Sequence, residues 1–317
     1  MNKYAENGLV SVIIPTYKRS DTLVRALESV LAQTYKNIEI IVVDDNAEFP
    51  EIRRHNEILI AKYPKVILVE NEKNLGGGLS RNEGIKVASG KYVAFLDDDD
   101  EYLPEKIEKQ LNCLNSHDEK TSVVYCYAEM INVNGSRYTY INDFEGDVLL
   151  ENIEHCLAPT SFWLCDREKL LSVGGFENIS SRQDASLLTK LFLSGYTVYR
   201  VPEVLLRYYW HNSINGISNS SLKSVNAEKQ YHLMFSKLAC QKGINKGVID
   251  KADYLFYFRL AREYLAIGYR KEALLLLKKM LKIKVFDIRN LRILCTSLFN
   301  KTYLFVAFLK NKKRIGK

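Results

Sequence analysis

Two kinds of hydrophobic pattern alternate through the first hundred residues. Residues 9–14 (LVSVII) form a β-branched run ended by Pro15, the mark of a buried strand. Residues 21–33 place Leu23, Val24, Leu27, Val30 and Leu31 at helical spacing, with Ser20 or Asp21 as the expected cap. The alternation continues with a strand at 38–43 (IEIIVV), a helix at 52–62 and a strand at 65–70 (KVILVE). A helix at 79–88, stopped by Gly90, and a strand at 92–96 (YVAFL) complete it. Strand and helix in turn at this spacing predict a mostly parallel sheet covered on both faces.

From about Pro104 the pattern is mixed. A helix is expected at 105–114, strands at 122–127 and 160–165, a helix at 184–193 ended by Gly195, and strands at 197–201 and 205–210. The polar stretch 212–224, rich in Ser and Asn, reads as a loop or linker. Beyond it, 228–238, 251–265 and 271–281 are helical, and the last two suit an antiparallel hairpin. One such hairpin is like a single tetratricopeptide unit, without the repetition that would make an array.

The 317 residues are 47% hydrophobic and 26% charged, ordinary for a soluble chain with room for one large domain and a small one. The net charge of +7 is concentrated at the C-terminal end, where Glu272 and Asp287 are the only acids after Gly268. The six cysteines have neither CxxC pairing nor zinc spacing, so reduced thiols and a cytoplasmic location are expected. The first residues, MNKYAENG, lack the apolar core of an export signal, and the longest uncharged apolar stretch, 302–309, is too short to span a bilayer.

Acidic residues follow two of the predicted strands: Asp44 and Asp45 after EIIVV, and Asp97, Asp98, Asp99 and Asp100 after YVAFL. Both groups would emerge at the carboxyl edge of a parallel sheet, where ligands bind. Adjacent carboxylates repel unless they are solvated or neutralised by a cation. A hard divalent ion accepts carboxylate and phosphate oxygens together, so the run reads as a metal–diphosphate clamp, against the plainer reading of a solvated acidic turn. The glycines at 76–78 match neither a dinucleotide fingerprint nor a P-loop and read as a flexible turn.

Five segments occur in order: SVIIPTYKR, LESVLAQTYKNIEIIVVDDNA, NLGGGLSRNEGI, ASGKYVAFLDDDD and GGF…RQD…LFLSG. Together they resemble a family-2 glycosyltransferase of the GT-A fold, of the bacterial polysaccharide type, over about residues 9–211. The resemblance implies an α/β, Rossmann-like catalytic domain at 1–222. Its nucleotide-binding half is about 1–100 and its acceptor half 101–222, with a basic helical region at 223–317. It implies that Pro15, Thr16 and Tyr17 border the nucleotide, although Tyr17 reads equally well as a ring packed at a strand end. Asp45 corresponds to the residue that accepts from the base, with Asp44 holding the loop. Arg81, and with less support Asn74, face the nucleotide or diphosphate. Asp97, Asp98 and Asp99 match an Asp–x–Asp metal motif, with Asp99 the most direct ligand of Mn²⁺ or Mg²⁺ and Asp97 and Asp98 toward the ribose or a metal-bound water.

Asp184 matches the general base, and Gln183 stands where the family usually has Glu. Arg207 is expected near the diphosphate. His211 has three readings: a metal ligand, a phosphate donor or a structural residue. The implied reaction is inverting transfer from a nucleotide sugar, with UDP favoured, to a saccharide or lipid-linked saccharide in cell-surface polysaccharide synthesis. The Lys-rich C-terminal helices suit an anionic inner membrane leaflet, or else pack on the catalytic domain or form a homodimer. No nucleic-acid partner is expected. The competing readings are a sugar nucleotidyltransferase, which lacks its early glycine-rich phosphate loop here, and an inactive saccharide-binding relative, which the intact Asp97, Asp99 and Asp184 disfavour.

Overall fold

The unbroken apolar runs become the parallel strands of one sheet, the third of them at its edge. In the computed structural model, which describes residues 8–210 and 220–299, β1 (Val10–Thr16), β2 (Ile38–Asp44), β3 (Val66–Glu70) and β4 (Tyr92–Phe95) are parallel in the order β3-β2-β1-β4. A strand without polar alternation needs apolar cover on both faces, and Val12, Ile13, Ile14, Ile41, Val42, Val93, Ala94 and Phe95 are completely buried. Between these strands lie α1 (Ser20–Leu31), α2 (Pro50–Ile60) and α3 (Gly77–Val87). α1 and α2 touch each other. The strand order reverses at β1/β4, so the right-handed crossover carries α3 to the opposite face and opens a crevice at that point. Gly84 lets α3 approach β1, because a Cβ there would lie 2.5 Å from Ile13 Cγ2.

Two local expectations are corrected. Neither Ser20 nor Asp21 caps α1: Arg19 holds the cap position and no side chain bonds the free amides. Gly90 does not stop α3, which ends at Val87. Gly90 instead provides clearance, since a Cβ there would lie 2.7 Å from the Leu9 carbonyl oxygen.

After β4 the sheet becomes mixed. The chain continues through β5 (Glu101–Tyr102), α4 (Lys106–Ser116), β6 (Thr121–Asn132), β7 (Arg137–Tyr140), α5 (Leu149–His155), β8 (Leu164–Asp166), α6 (Arg167–Ser172), α7 (Gln183–Leu193) and β9 (Thr197–Trp210). The strand order runs on as β4-β8-β6-β9-β5, with β7 paired to β6, and among these pairs only β6–β9 is parallel. The extended run expected at 160–165 is half a 3-10 turn, Thr160–Phe162, with strand only at Leu164–Asp166. The two strands expected on either side of Pro202 are one. Cys126 pairs with Val201 and Tyr127 with Val204, so Pro202 and Glu203 bulge out where no N–H is required.

Contact clustering divides the chain into two units, Met1–Gly216 and Ile217–Lys317. Among the described residues the second unit holds four helices: α8 (Leu222–Gln241), α9 (Lys246–Ala266), α10 (Arg270–Ile283) and α11 (Ile288–Phe299). The linker expected up to 224 ends sooner, because Ser221 and Ser224 form a reciprocal capping box that starts α8 at Leu222. α9 and α10 pack together across a turn at Gly268, whose φ is +85°. A buried pair, Arg259 Nε to Glu228 Oε1 at 3.1 Å, ties α9 to α8. The fourth helix, α11, has no counterpart among the expected elements. All six cysteines are free thiols. Among the described residues no helix is long and apolar enough to cross a membrane.

Candidate active site

The acidic run leaves β4 at the β1/β4 crevice, and its four side chains part company there. Asp97, Asp99 and Asp100 each bring a carboxylate oxygen within 4.8 Å of the others. Asp98 turns the other way, accepting from Thr16 Oγ1 at 2.8 Å, Tyr17 N at 3.3 Å and Arg19 Nη1 at 3.3 Å. The group that gathers is therefore Asp97, Asp99 and Asp100. Asp98 ties the run to the end of β1 instead. Burial, and after it the neighbouring Asp99, push the Asp98 carboxyl up to about 7, against the pull of Arg19 and the Thr16 hydroxyl.

Asp100 carries the strongest sign of an incomplete site. It is buried, and Tyr209 N donates to its Oδ1 at 3.1 Å; its Oδ2 makes no hydrogen bond of ordinary geometry, although the Ser161 hydroxyl is close enough to draw the carboxyl down. Burial first, then Asp97 and Asp99, raise this carboxyl well above the usual carboxylate range. A buried acceptor without a well-placed donor is costly. Three converging carboxylates, with one oxygen so placed, match the all-oxygen preference of Mg²⁺ or Mn²⁺, so the residues present fit a divalent metal. Two guanidinium groups already border them: Arg19 on Asp99 and Arg81 on Asp97. Arg25 Nη2 also donates to the Asp99 carbonyl at 2.5 Å, and its guanidinium lies 3.8 Å over the Tyr209 ring.

The other acidic pair builds the crevice wall. Asp44, fully buried, accepts from Asn46 N at 2.8 Å and Asn56 Nδ2 at 2.7 Å, and so holds the loop after β2. Asp45 accepts from Asn71 Nδ2 at 2.7 Å, Leu75 N at 2.8 Å and Gly76 N at 2.8 Å. It thereby fixes the entry to α3, while Asn74 is exposed on the same loop. Pro15 pairs with Val43 in the sheet. Tyr17 meets Phe49 edge to face at 6.0 Å, and Lys18 Nζ sits 3.9 Å from the Phe49 ring.

The glycines at 76–78 are not a flexible turn. Gly76 has φ +77° at the helix start. Gly78 packs so tightly that a Cβ would lie 2.9 Å from Gln183 Cδ. Gln183 opens α7 and also faces Arg81, with Oε1 3.5 Å from Nη1. Arg81 thus bridges Asp97 and the start of α7. Asn82 reinforces this junction, accepting from Phe176 N at 2.8 Å and donating to Phe176 O at 2.9 Å. Asp184 follows Gln183, half-buried in the first turn of α7, where the helix dipole favours a carboxylate.

Tyr208, on β9, is largely buried near the acidic run. Burial raises its phenol, and after burial the groups that raise it are Asp100, Asp97, Asp99 and Asp184. The ring itself packs against Phe162 at 5.9 Å. Its strand neighbour Arg207 is committed elsewhere, 3.0 Å from Glu101 and 3.3 Å from Glu129. His211 lies outside the described residues. Sequence reasoning placed Asp100 in the clamp without an individual role, and missed Arg19, Asn71 and Tyr208. Of these three, Arg19 closed the SVIIPTYKR segment.

The sequence model of Glycosyl transferase family 2 matches residues 11–173. An uncharacterized glycosyltransferase of Rickettsia typhi is 31% identical over 282 residues, covering 86% of this chain and 84% of its own length. Several Rickettsia relatives are longer, and the chain spans only 39% of the one from Rickettsia bellii. The UDP-Glc:alpha-D-GlcNAc-diphosphoundecaprenol beta-1,3-glucosyltransferase WfaP of Escherichia coli is 29% identical over 260 residues, 80% of this chain and 93% of WfaP. Among solved structures, S. aureus TarS superposes with a TM-score of 0.61 at 19% identity, over 87% of this chain and 49% of TarS. TarS 1-349 in complex with UDP-GlcNAc superposes with a TM-score of 0.55 at 18% identity, over 87% of this chain and 90% of that one.

Proposed function

The chain belongs to glycosyl transferase family 2, and from that premise we propose that it is a metal-dependent, inverting enzyme transferring a sugar from a UDP-sugar to a lipid-linked saccharide in cell-surface glycan synthesis. What supports this is the gathering of Asp97, Asp99 and Asp100 at one crevice, with Arg81 paired to Asp97 and reaching Gln183, the chain neighbour of Asp184. The donor class follows from two similarities: WfaP is named for UDP-Glc, and TarS has been crystallised with UDP-GlcNAc and with UDP. WfaP is also named for a diphosphoundecaprenol-linked acceptor, and the basic helices suit work beside an anionic membrane.

The residues divide the work by their chemistry. Asp45 uses three lone pairs on its own loop and keeps one for the N3–H of uracil, beside Tyr17. Asp97, Asp99 and Asp100 would hold Mn²⁺ or Mg²⁺, which when bound neutralises diphosphate charge. Arg81, fixed by Asp97 and Gln183, adds a permanent positive charge for the departing UDP. The acceptor oxygen attacks the anomeric carbon and the bond from that carbon to the diphosphate breaks. The acceptor proton passes to the Asp184 carboxylate and the electron pair leaves with UDP.

A panel of UDP-sugars tests this reading by release of UDP with Mn²⁺, with Mg²⁺ and with EDTA. The expected result is release from one or a few donors, stimulated by a diphosphoundecaprenol-linked saccharide and abolished by EDTA. Activity that survives EDTA would remove the metal, and release from no UDP-sugar would remove the donor class.

A further inference from the structure

Among its described residues the helical unit carries an apolar ledge at the turn between α10 and α11. α10 buries Ala273, Leu276, Leu277 and Met280, and α11 buries Ile293 against the same unit. The turn between them turns its apolar side chains outward: Phe286 is 93% exposed, Ile288 65% and Val285 60%. Leu291 and Leu294 extend this surface along α11, and with Leu277 and Leu281 they line an open groove of about 470 Å³. Apolar area of this kind on one edge marks an interaction surface.

Charge selects the occupant. At 100° per residue, Lys271, Lys278 and Lys282 form a row along α10 beside Leu274 and Leu281. Between Arg270 and Phe299 there are eight basic residues and only two acids, Glu272 and Asp287. Asp287 is neutralised within the turn, 2.9 Å from Lys284 Nζ and 3.2 Å from Arg289 Nη1. These two cations hold its carboxyl down at about 2, although burial alone would raise it. The ledge is thus apolar at its tip and predominantly cationic at its rim, the arrangement of an element that lies in an anionic lipid interface. The described helices cannot span a bilayer, which leaves shallow insertion.

We propose that the α10–α11 turn docks the protein on anionic phospholipid, with Phe286 and its apolar neighbours entering the headgroup boundary and the lysines of α10 on the lipid phosphates. The site faces lipid rather than substrate, so it stands apart from the transfer chemistry. It deepens the reading of a membrane-presented acceptor by naming the contact.

The test is co-sedimentation of the full chain with phosphatidylcholine vesicles, with and without phosphatidylglycerol, while UDP release is measured separately on the same preparations. The wild type should pellet with the anionic vesicles, weaken as salt rises and pellet little with neutral ones. Phe286→Ser should weaken anionic binding roughly tenfold, and the triple change Lys271→Gln, Lys278→Gln, Lys282→Gln should remove the anionic preference. Both variants should melt as the wild type does and hydrolyse donor at the wild-type rate, because all four side chains are exposed. Equal binding to both vesicle types, no binding to either, or unchanged binding in Phe286→Ser would overturn the proposal. So would a wild-type dimer that Phe286→Ser dissociates, since the ledge would then be covered by a second copy. Vesicle binding does not depend on transfer, so loss of UDP release with docking intact would count only against the proposed reaction.

Discussion

Lys106 is an ammonium in the wall behind the acidic run, and its stability effect has a defined pH signature. It has no exposed surface, donates to Gln110 Oε1 at 2.7 Å, and sits 4.0 Å from the Tyr102 ring centre. Burial lowers its pKa from 10.5 to about 8, although Cys126 and Cys165 pull upward. The sign follows from proton counting. Between pH 8 and 10.5 the unfolded chain keeps a proton that the folded chain has released, so stability rises with pH across that window and is flat below it. At 1.36 kcal/mol per unit the whole window is worth about 3 kcal/mol, of which about 1 kcal/mol is gained between pH 7 and 9. Lys106→Met fills similar volume and has no proton to release. Urea unfolding of wild type and variant at pH 7 and pH 9, followed by tryptophan fluorescence, measures the difference. Both tryptophans, Trp163 and Trp210, lie in the first unit, so the signal reports that unit alone. The stability gap between wild type and variant should move by about 1 kcal/mol toward the wild type at pH 9. Parallel stabilities at the two pH values would refute the buried-ammonium argument.

Further outcomes concern the crevice and the helical unit. Asp100→Asn should weaken Mn²⁺ binding in calorimetric titration at least tenfold, and Asp98→Asn much less, since Asp98 faces Thr16. The reverse order would mean that the ligands are misassigned. Gly78→Ala forces a methyl group to within 2.9 Å of Gln183. It should cost about 1–3 kcal/mol in urea unfolding and slow UDP release, and a neutral result would show that Gln183 can move aside. Arg259→Met removes the guanidinium that pairs with buried Glu228, and should cost about 3–5 kcal/mol; adding Glu228→Leu should recover much of it. No recovery in the double variant would assign the loss to packing.

Three of the four parallel strands were legible because a strand covered on both faces needs an unbroken apolar run, and LVSVII, EIIVV and YVAFL supply one each; VILVE shows such a run too, although β3 lies at the sheet edge and is part-exposed. The place of the acidic run followed from YVAFL. Its internal division did not: after β4 the backbone leaves regular pleating, so no period tells which of Asp98 and Asp100 turns toward the others. Proline hid the continuity of β9, since a bulge that removes Pro202 from the ladder leaves no mark in sequence. The start of α11 did carry a signal. Asp287 before Ile288 accepts from Arg289 N at 2.9 Å, the Asx pattern of a helix start. Tyr208 and Asn71 had no such mark, because each matters through partners in distant segments. The glycines at 76–78 read as loose only until Gln183, a hundred residues away, came to lie against them.

The central claim, that Asp184 takes the acceptor proton at a crevice that holds the donor independently, is tested most directly by Asp184→Asn. With an active donor and acceptor, the account predicts that the transfer rate falls at least a hundredfold while the Kd for UDP, measured by calorimetry with Mn²⁺, stays within about twofold of the wild type. Transfer that continues at a near-wild-type rate in Asp184→Asn would contradict it.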